Sequence, residues 1–247
     1  MDTSICFLRG IMNLSLILLL FSCTVTNNLY FNDPVPTKQG EGHAYLGLGT
    51  GVRADIESVG LNGDITFSDD LTLAPNFYFG AQTRIIDNLD LRLSLSLPYI
   101  VGGIGLRLGP QYSFFKDSDT WNLAIGSDLG FVVAWDSLKF LGTKSDLEIY
   151  TNGAINADFF MPFSYSFNKN TRIVLTPRYS FNTLYIRENT KSRETFKFKP
   201  NVPSLALGLK TKRMYYELSA FRFQDNYFPN FGIVYIFRGS SEKAEPD

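Results

Sequence analysis

Residues 89–97 read Leu-Asp-Leu-Arg-Leu-Ser-Leu-Ser-Leu, so Leu89, Leu91, Leu93, Leu95 and Leu97 share one face while Asp90, Arg92, Ser94 and Ser96 share the other. The alternation has a strict period of two. Leucine favours helices, yet a helix would scatter these side chains around its circumference, whereas a strand gathers them on one wall. Pattern outweighs propensity here. Any fold for this chain must give one strand face apolar surroundings and the other polar ones.

The alternation recurs along most of the sequence. Ile104, Leu106, Leu108, Tyr112 and Phe114 alternate with small or polar residues, as do Trp121, Leu123, Ile125, Leu129, Phe131 and Val133. Phe159, Met161, Phe163, Tyr165 and Phe167 oppose Asp158, Ser164 and Ser166, with Phe160 and Pro162 interrupting the rule. Ile173, Leu175, Tyr179 and Phe181 oppose Arg172, Thr176, Arg178 and Ser180, and Leu205, Leu207 and Leu209 oppose Ala206, Gly208 and Lys210.

The pattern predicts strands at 43–54, 74–86, 89–98, 103–115, 120–134, 151–167, 171–186, 202–210, 214–224 and 229–238, with no helix required. Several reach the roughly 9 to 11 residues that cross a bilayer at a tilt. Short turns at Asp87-Asn88, Lys116 to Asp119, Asn168 to Asn170 and Lys210 to Arg213 alternate with connections at 55–73, 99–102, 135–150, 187–201 and 225–228. This alternation suits a barrel with tight turns at one end and longer loops at the other. The expected fold is therefore all-β: a transmembrane antiparallel up-and-down barrel of about ten strands. Because 99–102 is short for a loop, eight and twelve strands are the alternative counts. A soluble sandwich would also alternate, but its outer face would carry more Lys and Glu than the Gly and Ser found here.

Lys plus Arg number 23 and Asp plus Glu 24 in 247 residues, so charge gives no sign of a nucleic-acid partner. At the N-terminus, Arg9 precedes an apolar run from Ile11 to Phe21 that is too short to span a membrane as a helix, the layout of a secretory signal at 1–22. The order Leu20, Phe21, Ser22, Cys23 resembles the lipobox of bacterial lipoproteins, which implies lipidation at Cys23; ordinary cleavage between 22 and 26 is the alternative. Residues 23–42 read as a periplasmic tether without regular structure, because they lack periodicity and contain Asp33, Pro34 and Pro36. Residues 43–238 form the barrel, and 239–247 a polar tail.

Aromatic residues gather near the strand ends. Phe114, Trp121, Tyr165, Phe167, Tyr216, Tyr235 and Phe237 lie at the turn side, and Tyr99, Trp135, Tyr185, Tyr227 and Phe228 opposite, as interfacial girdles would. Phe231, Ile233, Tyr235 and Phe237 alternate along the last strand. Over about 43–238 the chain thus resembles the small outer-membrane β-barrel proteins of Gram-negative bacteria. The resemblance implies an integral outer-membrane location, contact with membrane lipid and lipopolysaccharide, and recognition of the last strand by the barrel-insertion machinery. This chain departs from the usual ending by adding a polar tail.

If the apolar face meets lipid, Arg53, Arg84, Asp90, Arg92, Arg107, Asp128, Asp158, Arg178, Lys210 and Glu217 point inward. Their mixed signs suggest an internal charge network that fills the lumen. The competing expectation is a narrow pore or transporter for small polar solutes, since inward Gly47, Gly49, Gly51, Gly80, Gly105, Gly109, Gly126 and Gly130 leave space on the wall. A barrel enzyme is the weaker alternative: His43, the only histidine, falls at the start of the first strand, away from any outward Asp/His or Ser/His site. Asp69-Asp70 lacks the spacing of a calcium loop, and no helix follows the Gly47, Gly49, Gly51 series as phosphate binding would require. No catalytic set, metal site or cofactor is expected. The stretch Arg187 to Lys199 sets Arg187, Lys191, Arg193, Lys197 and Lys199 against Glu188 and Glu194, with Phe196 and Phe198 interleaved, as either a solvated loop or a surface for lipopolysaccharide phosphates or another anionic partner. The expected function is thus a non-enzymatic envelope protein whose loops make surface contacts with a partner the sequence does not name.

Overall fold

The computed structural model describes residues 24–26, 31–38, 41–54, 56–59, 65–67, 72–98, 103–115, 120–134, 150–188, 195–223 and 226–239. The signal segment, Cys23, Asp69-Asp70 and residues 240–247 lie outside them.

Ten staves form the wall: β1 (Gly42–Ala54), β2 (Thr72–Ile86), β3 (Leu89–Pro98), β4 (Gly103–Ser113), β5 (Trp121–Ala134), β6 (Tyr150–Phe160, resuming as Phe163–Asn168), β7 (Thr171–Glu188), β8 (Thr195–Phe198, resuming as Asn201–Lys210), β9 (Met214–Phe223) and β10 (Asn226–Gly239). Each pairs antiparallel with its neighbours in sequence. β10 returns to β1, from Gly232 opposite Gly49 to Gly239 opposite Gly42, and closes the ring. The architecture is a ten-stranded up-and-down barrel with no helix among the described residues.

Its two surfaces invert the usual arrangement of a soluble domain. Leu48, Leu93, Ile125, Leu129, Leu205 and Leu218 face outward, Leu129 with 69% of its surface exposed. Asp90, Arg92, Arg107, Gln111, Asp128, Asp158 and Glu217 face inward and are buried. Each strand's period-two pattern generates this division, since alternate side chains leave the sheet on opposite faces.

Turns close the end at which β1 begins and β10 ends. Asn88 takes a left-handed conformation (φ 63°) between β2 and β3, which a short polar side chain tolerates better than most. Between β6 and β7, the Asn168 side-chain carbonyl accepts hydrogen bonds from the backbone N–H groups of Asn170 and Thr171, both at 2.9 Å. Such local bonding explains why Asn supports tight connections.

At the loop end the strands run further than the sequence pattern alone indicates. Within predicted loop 187–201, Thr195–Phe198 pairs with Leu184 to Arg187, so β7 and β8 continue as a projecting hairpin. β10 begins at Asn226, taking in most of predicted loop 225–228. Within predicted loop 55–73, Ile56–Val59 and Ile65–Phe67 form a separate two-stranded ribbon.

Within 23–42, the described residues differ most from expectation. Thr24–Thr26 pairs antiparallel with Val52 to Ala54 on β1, at the loop end. Phe31, Asn32, Asp33, Pro34, Pro36 and Thr37 are buried inside the barrel. The tether reading fails there because an irregular backbone can be buried when other groups satisfy its polar atoms. The barrel wall supplies those groups.

Candidate functional site: the interior of the barrel

The wall projects polar side chains that meet residues 31–37 at the turn end. Arg92 on β3 donates to the Phe31 carbonyl at 2.8 Å, and Gln111 on β4 donates to the Asp33 carbonyl at 2.6 Å. Ser113 donates to the Pro34 carbonyl at 2.8 Å. Asp90 accepts from the Thr37 backbone N–H at 2.9 Å, the Thr37 hydroxyl at 3.0 Å and the Gln82 amide at 2.6 Å. These bonds supply partners to backbone groups that neither helix nor sheet serves.

Asp33 anchors the segment electrostatically. Its carboxylate meets Lys210 at the end of β8 and Arg172 at the start of β7, the latter at 3.3 Å. All three side chains are largely shielded from solvent. Phe31 lies 5.2 Å from the Tyr45 ring and 4.9 Å from the Tyr215 ring, with the Lys210 ammonium 5.7 Å from its own ring centre. The ring thus packs against two buried tyrosines with a cation near its face.

The charged residues anticipated from sequence take different positions. Arg92 sits 3.7 Å from Asp128, and Arg107 sits 3.4 Å from Asp158. Asp90 instead serves Thr37 and Gln82, while Arg84 is its half-buried cross-strand neighbour. Arg178 and Glu217 are buried on β7 and β9. The Arg53 side chain lies outside the described residues. His43 is on β1 at the turn end, opposite Arg238. Among the described residues, no three His, Cys, Asp or Glu side chains cluster as a metal site.

Several of the inward glycines face neighbouring side chains rather than open space. A Cβ at Gly80 would run into the Tyr45 ring, one at Gly126 into Phe160, and one at Gly208 into Tyr215. Each glycine accommodates a large side chain from an adjacent strand. Phe160, which seemed to break the pattern, keeps the geometric alternation: it faces inward, fills the place beside Gly126, and carries the Arg92 guanidinium 4.6 Å from its ring centre.

Sequence reasoning missed Phe31, Asp33 and Thr37, whose segment has no period to reveal an inward side. It could have found Tyr45 and Tyr215, which share parity with Gly47 and Glu217 respectively. Both rings are buried.

Outside, at the loop end, the Lys197 ammonium lies 5.6 Å from the Tyr185 ring and the Arg222 guanidinium 6.0 Å from the Tyr227 ring. Lys197, Arg222 and Tyr227 are exposed and lie beyond the apolar rows of β8, β9 and β10. At the turn end, Trp121 stacks at 5.2 Å on Phe163 and approaches Tyr165 at 4.5 Å, all three facing outward.

No family model matches this chain, and no curated protein matches it. Among solved structures it is similar to the N-terminal β-barrel domain of Pseudomonas aeruginosa OprF, with 12% identity and a TM-score of 0.39, over 81% of this chain and 98% of that one. It is also similar to Yersinia pestis Ail, the attachment invasion locus protein, in complex with the heparin analogue sucrose octasulfate, with 8% identity and a TM-score of 0.35, over 81% of this chain and 100% of that one. A third similar structure is the KdgM porin, with 10% identity and a TM-score of 0.33, over 78% of this chain and 99% of that one.

Proposed function

We propose that this chain is a non-enzymatic integral protein of the bacterial outer membrane, with its turn end periplasmic and its lumen closed by residues 31–37. The observation that carries the membrane assignment is the inverted burial: apolar rows ring the outside while Asp158, Arg107 and Gln111 are buried inside. Apolar surface on this scale needs lipid or another apolar covering. Closure is supported by the contacts of Asp33 and Thr37 with opposite parts of the wall.

The projecting β7–β8 hairpin and its cationic rim suit contacts with anionic headgroups, including lipopolysaccharide phosphates, because basic residues gain from a negative surface potential. The alternating aromatics of β10 suit recognition by the barrel-insertion machinery. Lipidation at Cys23 belongs to the same proposal, and Cys23→Ala should abolish acyl labelling; unchanged labelling would reject it.

The competing pore reading is favoured by the charged, polar interior. Planar-bilayer recordings of the purified protein, shown to be folded by a heat-dependent gel shift, separate the two. Silence from inserted protein is expected of a closed barrel. Discrete, reproducible conductance steps would establish the pore instead.

A further inference from the structure

We propose that Lys210 and Arg172 form a carboxylate-binding site at the turn end of the lumen, occupied in the closed state by the protein's own Asp33. The inference rests on the closed-barrel reading and adds a ligand class to it: small carboxylates.

The two cations come from neighbouring strands, which the β7–β8 register places opposite each other as Arg172 and Lys210. The pairing is therefore set by the rigid wall. Their occupant arrives on a segment without helix or sheet pairing across 31–37. Asp33 Oδ1 faces Arg172 and Oδ2 faces Lys210, so each oxygen has a separate cation. Two charged donors, one for each oxygen, suit recognition of a carboxylate. Gln111 and Ser113 meanwhile hold the neighbouring Asp33 and Pro34 carbonyls and fix the position from which the carboxylate extends.

Other inward carboxylates have different local roles. Asp90 serves Thr37 and Gln82, Asp128 approaches Arg92, and Asp158 approaches Arg107. Asp33 differs because it belongs to the enclosed segment and bridges it to the wall. Replacing it by glycine removes the carboxylate while leaving the two cations and the carbonyl-binding donors in place. A small soluble acid can then take its position, with Asp33 acting in the native protein as a competitor in cis.

The test uses full-length Asp33→Gly protein, reconstituted in planar bilayers and shown by gel shift to be folded, with acetate as the probe. The variant is expected to conduct where the wild type is silent, and millimolar acetate should suppress that conductance at least tenfold. Acetamide, which has the same shape but no charge, should not. Asp33→Gly/Arg172→Gln/Lys210→Gln protein should lose the response to acetate.

Calorimetry in detergent provides a second measurement independent of conduction. Acetate should bind Asp33→Gly protein and bind neither wild type nor the triple variant. Equal binding to wild type and Asp33→Gly, equal responses to acetate and acetamide, or absence of acetate binding to folded Asp33→Gly protein would overturn the site. Conductance by wild type would reject closure instead, leaving the calorimetric comparison to judge the site.

Discussion

At the residue scale, the interior is specified by contacts between chemically unlike neighbours. Gly80 gives up volume to Tyr45, so Gly80→Val should destabilise the barrel by about 1–3 kcal/mol through overpacking, measured by the urea midpoint of unfolding from lipid vesicles. Adding Tyr45→Ala should recover part of that loss. Arg107→Ala leaves Asp158, a fully buried carboxylate, without its 3.4 Å cation and should cost about 3–5 kcal/mol in the same assay. The Arg107→Met/Asp158→Leu double variant should cost less, because neither charge then remains buried. Sequence could identify these residues as inward through parity. It could not say that Tyr45 covers Gly80, because that contact requires the register between two strands separated by a long connection.

At the element scale, alternation made β3 readable to the residue, at 89–98, because Leu and polar residues exchange without a lapse. The β6 interruption was legible as a disturbance at Phe160 and Pro162. Its cause was not, because the room beside Gly126 is created by another strand. The β7–β8 hairpin extended beyond its expected end because charged residues at 187–199 resembled a solvated connection, while pairing of Thr195–Phe198 supplied the missing backbone order. The outward rows yield a direct prediction. Leu129→Arg places a charge on the apolar wall of β5 and should cost about 2–4 kcal/mol near the bilayer midplane, measured by reversible unfolding from vesicles. At the β2–β3 turn, Asn88→Ala should destabilise by about 1 kcal/mol in that assay, whereas Asn88→Gly should be nearly neutral because glycine readily adopts positive φ.

At the scale of the whole molecule, ring closure and the buried N-terminal segment belong to one topology. The strand count and up-and-down order followed from the alternation of pattern and turns; the enclosed segment did not, because its wall contacts are irregular and distant in sequence. Thr24–Thr26 pairs with the loop end of β1, whereas Asp33 and Thr37 contact the wall at its turn end. β10 holds the same edge of β1 from Gly42 to Gly49, so the terminal peptide and the final strand share one border, each using a different length. This arrangement has a consequence for the order of assembly. A segment held inside by Asp33 is most easily enclosed before the final seam is made, since later entry would have to carry its charge through a completed ring. β1 can therefore begin biogenesis with its future contents already alongside it, and the last strand completes a container that has been packed.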